Sequence, residues 1–198
     1  MRELVLFMHM SLDGYVSTLG KEDNGSGGDD HGVFETAVPE LTNKADTLLL
    51  GRVVAVDLLG YWLKAEASDP NLSKGAIAYA RWATSAHKAV FSKTEEKLPW
   101  PDSELLLVKN DEDMVQAVST LKRQAGKNIV FHGGVRTAQA LARLNLVDEY
   151  QLVVYPAALG AGQPLFRNLP DRLKLKLLQV AELKAGAVFL RYQPTSKG

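Results

Sequence analysis

The sequence predicts an α/β protein built on a mostly parallel sheet, because short apolar runs alternate with longer segments of helical periodicity. The clearest unit lies between Lys127 and Phe166. Its first apolar run, Ile129 to Phe131, stops at paired glycines, a helix-favouring segment follows from Arg136 through Leu144, and a second apolar run spans Tyr150 to Tyr155. A strand, a helix and a strand in this order place the two strands parallel through a right-handed crossover.

The segments before this unit are assigned from the same signals. The expected strands are Leu4 to Met10, Thr47 to Leu50, Lys88 to Phe91 and Glu104 to Val108. The expected helices are Val33 to Lys44, Asn71 or Ser73 to about Thr84, and Asp111 or Asp113 to near Gly126. Pro39 indicates a kink or restart in the first of them. Val53 to Leu59 has a mixed pattern, and Leu19 to Gly32, rich in glycine and charge, predicts a surface loop that can act as a lid.

The end of the chain predicts two antiparallel strands. Leucines alternate at Leu173, Leu175 and Leu177, a turn follows near Lys184 to Gly186, and a second run returns through Val188 to Tyr192. We therefore expect a C-terminal antiparallel hairpin on the parallel sheet.

Composition limits the classes of function. A length of 198 residues fits one domain over residues 1–198, and 46% hydrophobic with 23% charged residues is typical of a globular protein. Zero net charge gives no electrostatic attraction to nucleic acid or a membrane surface. The absence of cysteine excludes disulfides and thiolate chemistry. The short apolar stretch near Met1 is too short for a signal or a membrane span, so we expect a cytoplasmic protein.

Three of the predicted strands end in small or cationic residues, namely Gly51-Arg52, Ser92-Lys93-Thr94 and Gly133-Gly134. Ligands of open α/β sheets bind beyond the carboxyl ends of the strands, so these loops should converge on a dinucleotide. Arg52 and Lys93 can each neutralise a phosphate. A cation beside two hydroxyls, with no carboxylate there, fits a 2′-phosphate better than a bare ribose, which favours NADPH over NADH.

The paired glycines allow two interpretations. Without a Cβ atom, Gly133 and Gly134 let a phosphate approach the backbone at a helix start, where the dipole favours negative charge. A plain tight turn is an equal alternative. The spaced glycines of a Rossmann motif are absent, because the third position falls on Thr137 or Ala138.

Four other polar or glycine-rich segments are candidates for the site. Asp13 is either a functional carboxylate at a pocket edge or part of an Asp-Gly turn. Asp29-Asp30-His31 are adjacent and lack a fixed scaffold, so no metal site is expected. The four histidines lie in unrelated sequence contexts, and His132 beside Gly133 is either structural or in contact with the cofactor. The glycine-rich segment Pro156 to Phe166 is either a second phosphate cradle or a buried or dimer-contacting loop.

Five short segments resemble, in order, those of the dihydrofolate-reductase-like superfamily. They are Ser11-Leu12-Asp13-Gly14, Leu50-Gly51-Arg52, Phe91-Ser92-Lys93-Thr94, Gly133-Gly134 and Leu159 to Phe166. The chain is most similar, over about Leu4 to Tyr192, to the branch that includes the C-terminal reductase domain of the bifunctional riboflavin-biosynthesis deaminase-reductase (RibD) and its stand-alone bacterial relatives. The resemblance implies a three-layer α/β fold that binds NADPH in an extended pose, and a homodimer.

The resemblance also implies roles for individual residues. Gly51 and Arg52 would meet the cofactor phosphates, and Ser92, Lys93 and Thr94 the adenosine 2′-phosphate. Gly133, Gly134, Val135, Arg136 and Thr137 would line the pyrophosphate and nicotinamide side. Asp13 would lie at the substrate edge as a catalytic group. Glu35, sixteen residues before Gly51, is either a proton relay that orients the substrate or an ordinary helix-surface charge.

The implied activity is an NADPH-dependent reductase that transfers a hydride to a small heterocyclic or sugar-like substrate, similar to 5-amino-6-(5-phosphoribosylamino)uracil reductase or dihydrofolate reductase. The alternative is a non-catalytic NADPH-binding sensor or oligomeric scaffold. Three departures bear on the substrate. Val53-Val54 replace the family's threonine and aromatic residue after the arginine, Tyr15 replaces a lysine common in the riboflavin enzyme, and the zinc-binding motifs of the deaminase half are absent.

Overall fold

An eight-stranded sheet forms the middle of the protein in our computed structural model, which describes residues 1–16, 32–94 and 97–195. The strands are β1 (Leu4–Ser11), β2 (Ala45–Gly51), β3 (His87–Ser92), β4 (Ser103–Leu107), β5 (Asn128–Phe131), β6 (Glu149–Tyr155), β7 (Leu175–Glu182) and β8 (Val188–Pro194). The helices are α1 (Val33–Thr36), α2 (Val38–Lys44), α3 (Arg52–Ser68), α4 (Lys74–Ser85), α5 (Asp111–Arg123) and α6 (Val135–Arg143), with a 3₁₀ turn at Lys184–Gly186.

The sheet is parallel apart from its C-terminal edge. Its strand order is β4-β3-β2-β5-β1-β6-β8-β7, and all pairs from β4 to β6 are parallel. Only β8 runs in the opposite direction, pairing antiparallel with both β6 and β7. The predicted fold class, including the C-terminal hairpin, is confirmed. β1 lies between β5 and β6, so the two strands of the predicted strand-helix-strand unit are parallel but not adjacent.

Both faces of the sheet are covered, which explains why β1 is a nearly continuous apolar run. Val5 and Phe7 belong to the core cluster under α1 to α4. Leu4, Leu6 and Met8 belong to the second cluster, under α5 and α6. Successive β1 residues thus point into opposite layers, and the sheet between two helical layers is the three-layer arrangement expected.

Two helical segments differ from the sequence expectation. The helix expected over Val33 to Lys44 is broken at Ala37, with Pro39 in the first turn of α2. Helix α3 covers the region with the mixed pattern. Its apolar residues lie on both sides, because Val53 and Val56 are exposed whereas Ala55 and Leu59 are buried, and so no single apolar stripe marks the helix.

The ends of the other helices follow local capping chemistry. Ser73 begins α4 by accepting a hydrogen bond from the Ala76 N–H group, as expected. Asn110 and Asp113 form a reciprocal capping box at the start of α5. No helix within the described ranges is long and apolar enough to cross a membrane.

Candidate functional site

The three predicted cofactor loops follow neighbouring strands. Strands β3, β2 and β5 are consecutive in the sheet and parallel, so their carboxyl ends share one edge. Ser92 ends β3, Gly51 ends β2, and His132 to Gly134 follow β5. The fold therefore brings these three loops together, as expected for one extended ligand, while their role in binding a cofactor remains a prediction.

Close backbone packing joins the second and third of these loops. A Cβ atom built on Gly51 would lie 3.1 Å from Thr137 Oγ1, and one on Gly133 would lie 3.7 Å from the Gly51 nitrogen. A Cβ atom on Gly134 would lie 3.1 Å from Val54 Cγ2. The start of α3 and the start of α6 thus touch each other, and glycine at these positions lets them do so.

Both helix starts point toward the same edge of the sheet. Arg52 is the first residue of α3, directly after β2, and is partly exposed. Gly134 precedes α6 without a capping side chain, and its carbonyl accepts the N–H groups of Thr137 and Ala138, each at 3.1 Å. Val135 begins α6 and Arg136 is exposed. The first N–H groups and the dipoles of two adjacent helices favour an anion here.

The β3 loop combines a buried hydroxyl with exposed polar groups. Ser92 is buried, and its Oγ accepts the Thr94 N–H at 3.2 Å and lies 3.4 Å from Thr94 Oγ1. Lys93 and Thr94 are exposed. Ser92 therefore shapes the turn, and Lys93 is exposed after the strand that neighbours β2.

The Asp13 carboxylate connects the loop after β1 to the loop after β6. Oδ1 accepts from the Ser11 hydroxyl at 2.6 Å and from the Leu159 N–H at 3.1 Å, and Oδ2 accepts from the Gly160 N–H at 2.7 Å. The hydrogen bonds from Ser11, Gly160 and Leu159 lower the pKa of Asp13 to about 2. Asp13 is thus ionised near neutral pH and cannot donate a proton there.

These contacts also bear on the glycine-rich segment after β6. The Leu159 and Gly160 N–H groups donate hydrogen bonds to the Asp13 carboxylate. The anion that these two N–H groups bind is therefore a side chain of the protein itself. Further backbone bonds run from Leu12 to Ala157 and from Val16 to Gln163, at 2.8 and 2.9 Å. The two loops form one fastened unit at the site edge, and the catalytic role of Asp13 remains a prediction.

Glu35 lies on the short helix α1 with its side chain exposed. The residues of α1 that face inward are its neighbours, since Val33 is buried and Phe34 packs against the rings of Trp62 and Tyr79 at centroid distances of 5.4 and 5.7 Å. Of the two alternatives for Glu35, its exposure fits the helix-surface charge, because the apolar side chains of this turn occupy the core. Its proposed role in proton transfer remains a prediction.

Sequence reasoning missed an aromatic cluster at the same edge. His9 of β1 and His132 after β5 stack with centroids 5.9 Å apart and 25° between their planes. Tyr155 Oη lies 2.7 Å from His9 Nδ1, and Tyr79 Oη lies 2.8 Å from His132 Nδ1. Phe7 meets both imidazoles edge-on. The expectation that the histidines lie in unrelated contexts was wrong for this pair, because β1 and β5 are neighbours.

Burial sets the ionisation of two members of this cluster. It lowers the pKa of His132 to about 4 and raises the pKa of Tyr79. Near neutral pH the His132 imidazole is therefore uncharged, and the Tyr79 hydroxyl retains its proton.

The alternation of β1 was the signal that could have revealed this cluster. Val5, Phe7 and His9 share one face of β1, so a polar ring is expected there at the carboxyl end. The partner strand cannot be read from sequence spacing, because His9 and His132 are more than a hundred residues apart.

The acidic and glycine-rich loop before α1 lies almost wholly outside the described residues. The Asp29-Asp30-His31 segment and most of the loop from Leu19 to Gly32 lie outside the described residues. Within the described part of the chain, no cluster of histidine, aspartate and glutamate side chains could hold a metal ion.

A six-stranded parallel region extended by an antiparallel hairpin, with glycine junctions at the carboxyl edge, defines a dihydrofolate-reductase-like fold. The RibD C-terminal domain family matches residues 2–189. The chain therefore belongs to the RibD C-terminal domain family.

Relatives and solved structures agree with this membership. The chain is 28% identical over 193 residues to the uncharacterized protein YyaP of Bacillus subtilis, covering 96% of this chain and 94% of YyaP. Acinetobacter baumannii RibD superposes with a TM-score of 0.63 at 17% identity, covering 99% of this chain and 59% of that one. A pyrimidine reductase-like protein from Corynebacterium diphtheriae gives a TM-score of 0.57 at 16% identity, covering 99% and 93%. At these identities the structural matches establish the fold.

Proposed function

We propose that this protein is an NADPH-dependent reductase that transfers a hydride to a C=N or C=O carbon of a small heterocyclic or sugar-like substrate. Membership in the family of the RibD reductase domain supports an oxidoreductase. The observation that carries the proposal is the contact of Gly51, at the end of β2, with Gly133, which follows β5. Lys93 follows β3, which is the next strand along the same edge.

The residues at this edge fit a dinucleotide. The starts of α3 and α6 offer backbone N–H groups to a diphosphate, and the three glycines let these two helix starts lie close together. Arg52 and Arg136 add positive charge beside these helix starts. The nicotinamide supplies the hydride, while the protein binds, orients and excludes water.

The preference for NADPH over NADH rests on the loop after β3. Lys93 is exposed next to the hydroxyl of Thr94, and Ser92 holds the turn that presents both. A lysine ammonium with an adjacent hydroxyl is suited to a doubly charged 2′-phosphate. A ribose 2′-hydroxyl would gain less from the same cation.

Related structures suggest the substrate class. One match, from Thermotoga maritima, is described as a diaminohydroxyphosphoribosylaminopyrimidine deaminase and 5-amino-6-(5-phosphoribosylamino)uracil reductase. We propose a planar heterocycle of this kind, with or without a sugar, for the present protein. Tyr15, which stands at the lysine position of the riboflavin enzyme, is bridged through its backbone to Pro164 and is partly buried. A phosphorylated sugar would therefore lack that lysine as a partner.

A non-catalytic NADPH-binding protein is the second candidate, and one observation favours it. Asp13, one of the two predicted catalytic acids, cannot supply a proton near neutral pH, because it is ionised in a hydrogen-bonded network. Such a protein would bind NADPH with the same loops and would not oxidise it.

Two measurements separate these candidates. Fluorescence titration with NADPH and NADH should show tighter binding of NADPH, and equal affinities or no binding would contradict the cofactor assignment. Oxidation of NADPH, followed at its absorbance maximum with pteridines, pyrimidines and keto-sugars, should occur with at least one of these acceptors. Binding without any oxidation across that panel would favour the non-catalytic alternative.

We also propose a homodimer. The edge strand β7 exposes Leu178 and Val180 on one side, and a second copy would cover this apolar pair. Light scattering of the wild-type protein and of Val180→Lys should show a dimer that the substitution weakens, whereas a wild-type monomer would contradict the proposal.

A further inference from the structure

Two histidine-tyrosine pairs lie side by side at the carboxyl edge of the sheet. In each pair, a tyrosine hydroxyl meets Nδ1 of the imidazole, at 2.8 Å for Tyr79 with His132 and 2.7 Å for Tyr155 with His9. The imidazoles stack on each other between the two tyrosines. The orientation of both rings is therefore fixed by hydrogen bonds at one nitrogen and by ring contacts on their faces.

The hydrogen bond from Tyr79 determines which nitrogen of His132 carries the proton. Tyr79 is buried, and within the described structure its hydroxyl bonds only to His132 Nδ1. A buried hydroxyl that retains its proton donates it to its single partner. Nδ1 is then the acceptor, so the hydrogen-bond network assigns the proton of neutral His132 to Nε2.

His132 as a residue is partly exposed at this edge. Among the described residues, Nε2 is not one of the buried side-chain polar atoms that lack a partner. No hydrogen bond joins Nε2 to another described residue, since the single bond of this ring is made by Nδ1. His132 directly precedes Gly133, which places an N–H donor beside the junction of the β2 and β5 loops.

We infer that His132 is a catalytic residue whose Nε2–H group donates a hydrogen bond to the oxygen or nitrogen atom of the substrate bond that is reduced. This inference rests on the proposed reductase function. During reduction, the substrate carbon gains a hydride from the nicotinamide, and the π electron pair of the C=O or C=N bond moves to the heteroatom. The Nε2–H group stabilises that developing negative charge. Water then supplies the proton, so His132 remains neutral throughout.

This role requires no proton from Asp13, which is ionised near neutral pH. A neutral imidazole acts as an electrophile through its hydrogen bond, and triosephosphate isomerase is a known example of this use. The stacked His9 ring supports His132. Tyr79 is a positioning residue, because it acts on the substrate only through His132.

The test is nitrogen-15 NMR of the four histidines in the full-length protein, recorded from pH 8 to pH 5 without ligand and with saturating NADP⁺. His9→Gln, His31→Gln and His87→Gln assign three of the four signals, and the remaining signal belongs to His132 by elimination. We expect His132 to stay neutral with its proton on Nε2, and its signals to shift on addition of NADP⁺. His87, at the opposite end of the strands, should not respond.

Two tyrosine variants provide matched controls. Tyr79→Phe should release His132 from its single tautomer, whereas Tyr155→Phe should alter the His9 signals and leave the His132 tautomer unchanged. A proton on Nδ1 of His132, a charged ring at pH 6, or signals that do not move when NADP⁺ binds would each overturn the inference while leaving the reductase proposal intact. Failure to bind NADP⁺ or NADPH by fluorescence would overturn the reductase proposal and the role of His132 with it.

Discussion

The imidazoles of His9 and His132 stack across two neighbouring parallel strands, with centroids 5.9 Å apart. Two positively charged imidazoles at this distance would repel each other, particularly where water is partly excluded. The low pKa of His132, which follows from burial, avoids this repulsion because that ring is neutral near physiological pH. The stack therefore carries at most one positive charge near neutral pH.

The first prediction concerns stability at acidic pH. Burial lowers the pKa of His132 from 6.5 to about 4, so the unfolded chain binds more protons than the folded protein between these values. Stability from this group is present above about pH 6.5 and is lost as the pH falls toward 4. Between pH 7 and pH 5, this group should lower the unfolding free energy of the wild-type protein by about 2 kcal/mol. The His132→Gln variant should not show this decrease. Urea unfolding at each pH measures both proteins.

His87 provides a control with the opposite sign. Partial burial works against its charged form, but hydrogen bonds to Asp102 and Glu104, at 2.9 and 3.2 Å, raise the pKa of His87 overall. The contribution of His87 to the stability of the folded protein is present below about pH 6.5 and is lost as the pH rises through the raised pKa. His87→Gln should therefore destabilise the protein more at pH 5 than at pH 8. Identical pH profiles for the two variants would contradict both assignments.

The second prediction concerns selectivity between cofactors. Removal of the Lys93 ammonium should weaken NADPH binding about tenfold, a typical effect of losing one charge-assisted hydrogen bond, and should leave NADH binding unchanged. Fluorescence titrations of Lys93→Ala at two salt concentrations measure both effects, and the variant should be less sensitive to salt. Lys176→Ala, which removes an exposed charge on β7, should behave as wild type. Equal losses for NADPH and NADH would contradict contact with a 2′-phosphate.

The third prediction concerns the Asp13 network. Asp13→Asn replaces one acceptor oxygen with an NH₂ group, so the Leu159 and Gly160 amides lose a charged acceptor. We expect both amides to exchange faster with solvent in hydrogen-exchange NMR, whereas Asp57→Asn on α3 should not alter them. Because the pKa of Asp13 is about 2, its protonation should not contribute to any pH dependence of activity between pH 5 and 8. A wild-type exchange rate at Gly160 in Asp13→Asn would show that the carboxylate does not hold this loop.

Much of the fold could be predicted from the sequence, because apolar runs and helix caps depend on interactions between residues that are close in the chain. Strands β1 to β6 were placed within one or two residues, and Ser73 marked the start of α4 through a hydrogen bond to a residue three positions away. Helix α3 was not recognised, because its apolar residues lie on opposite sides and Val53 is exposed. The order of the strands needs contacts between distant segments, which no local pattern contains.

The parts of the candidate site that lie at strand ends could be predicted from the sequence. The parts that depend on the order of the strands in the sheet could not. Gly51, Lys93 and Gly133 were identified because each follows an apolar run, and parallel strands bring such ends to one edge. The His9 and His132 stack requires that β1 lie beside β5. The exposure of Glu35 depends on which side of a single helical turn faces the core, and Phe34 takes that side.

The last prediction tests the contact between the two glycine junctions. Gly51→Ala would place a Cβ atom 3.1 Å from Thr137 Oγ1, so the start of α6 must shift by a few tenths of an ångström. We expect a loss of about 1 to 2 kcal/mol in unfolding free energy, typical of overpacking, together with weaker NADPH binding.

Two further variants show whether that loss arises from the contact itself. Gly60→Ala in α3 meets no atom within 4 Å and should stabilise the protein by about 0.5 to 1 kcal/mol, because alanine favours helix. Thr137→Ala removes the opposing oxygen, so the Gly51→Ala/Thr137→Ala double variant should recover most of the stability lost in Gly51→Ala alone. Additive losses in the double variant would show that Gly51 and Thr137 do not touch, and the β2 and β5 loops would then not form the joined anion site on which NADPH binding depends.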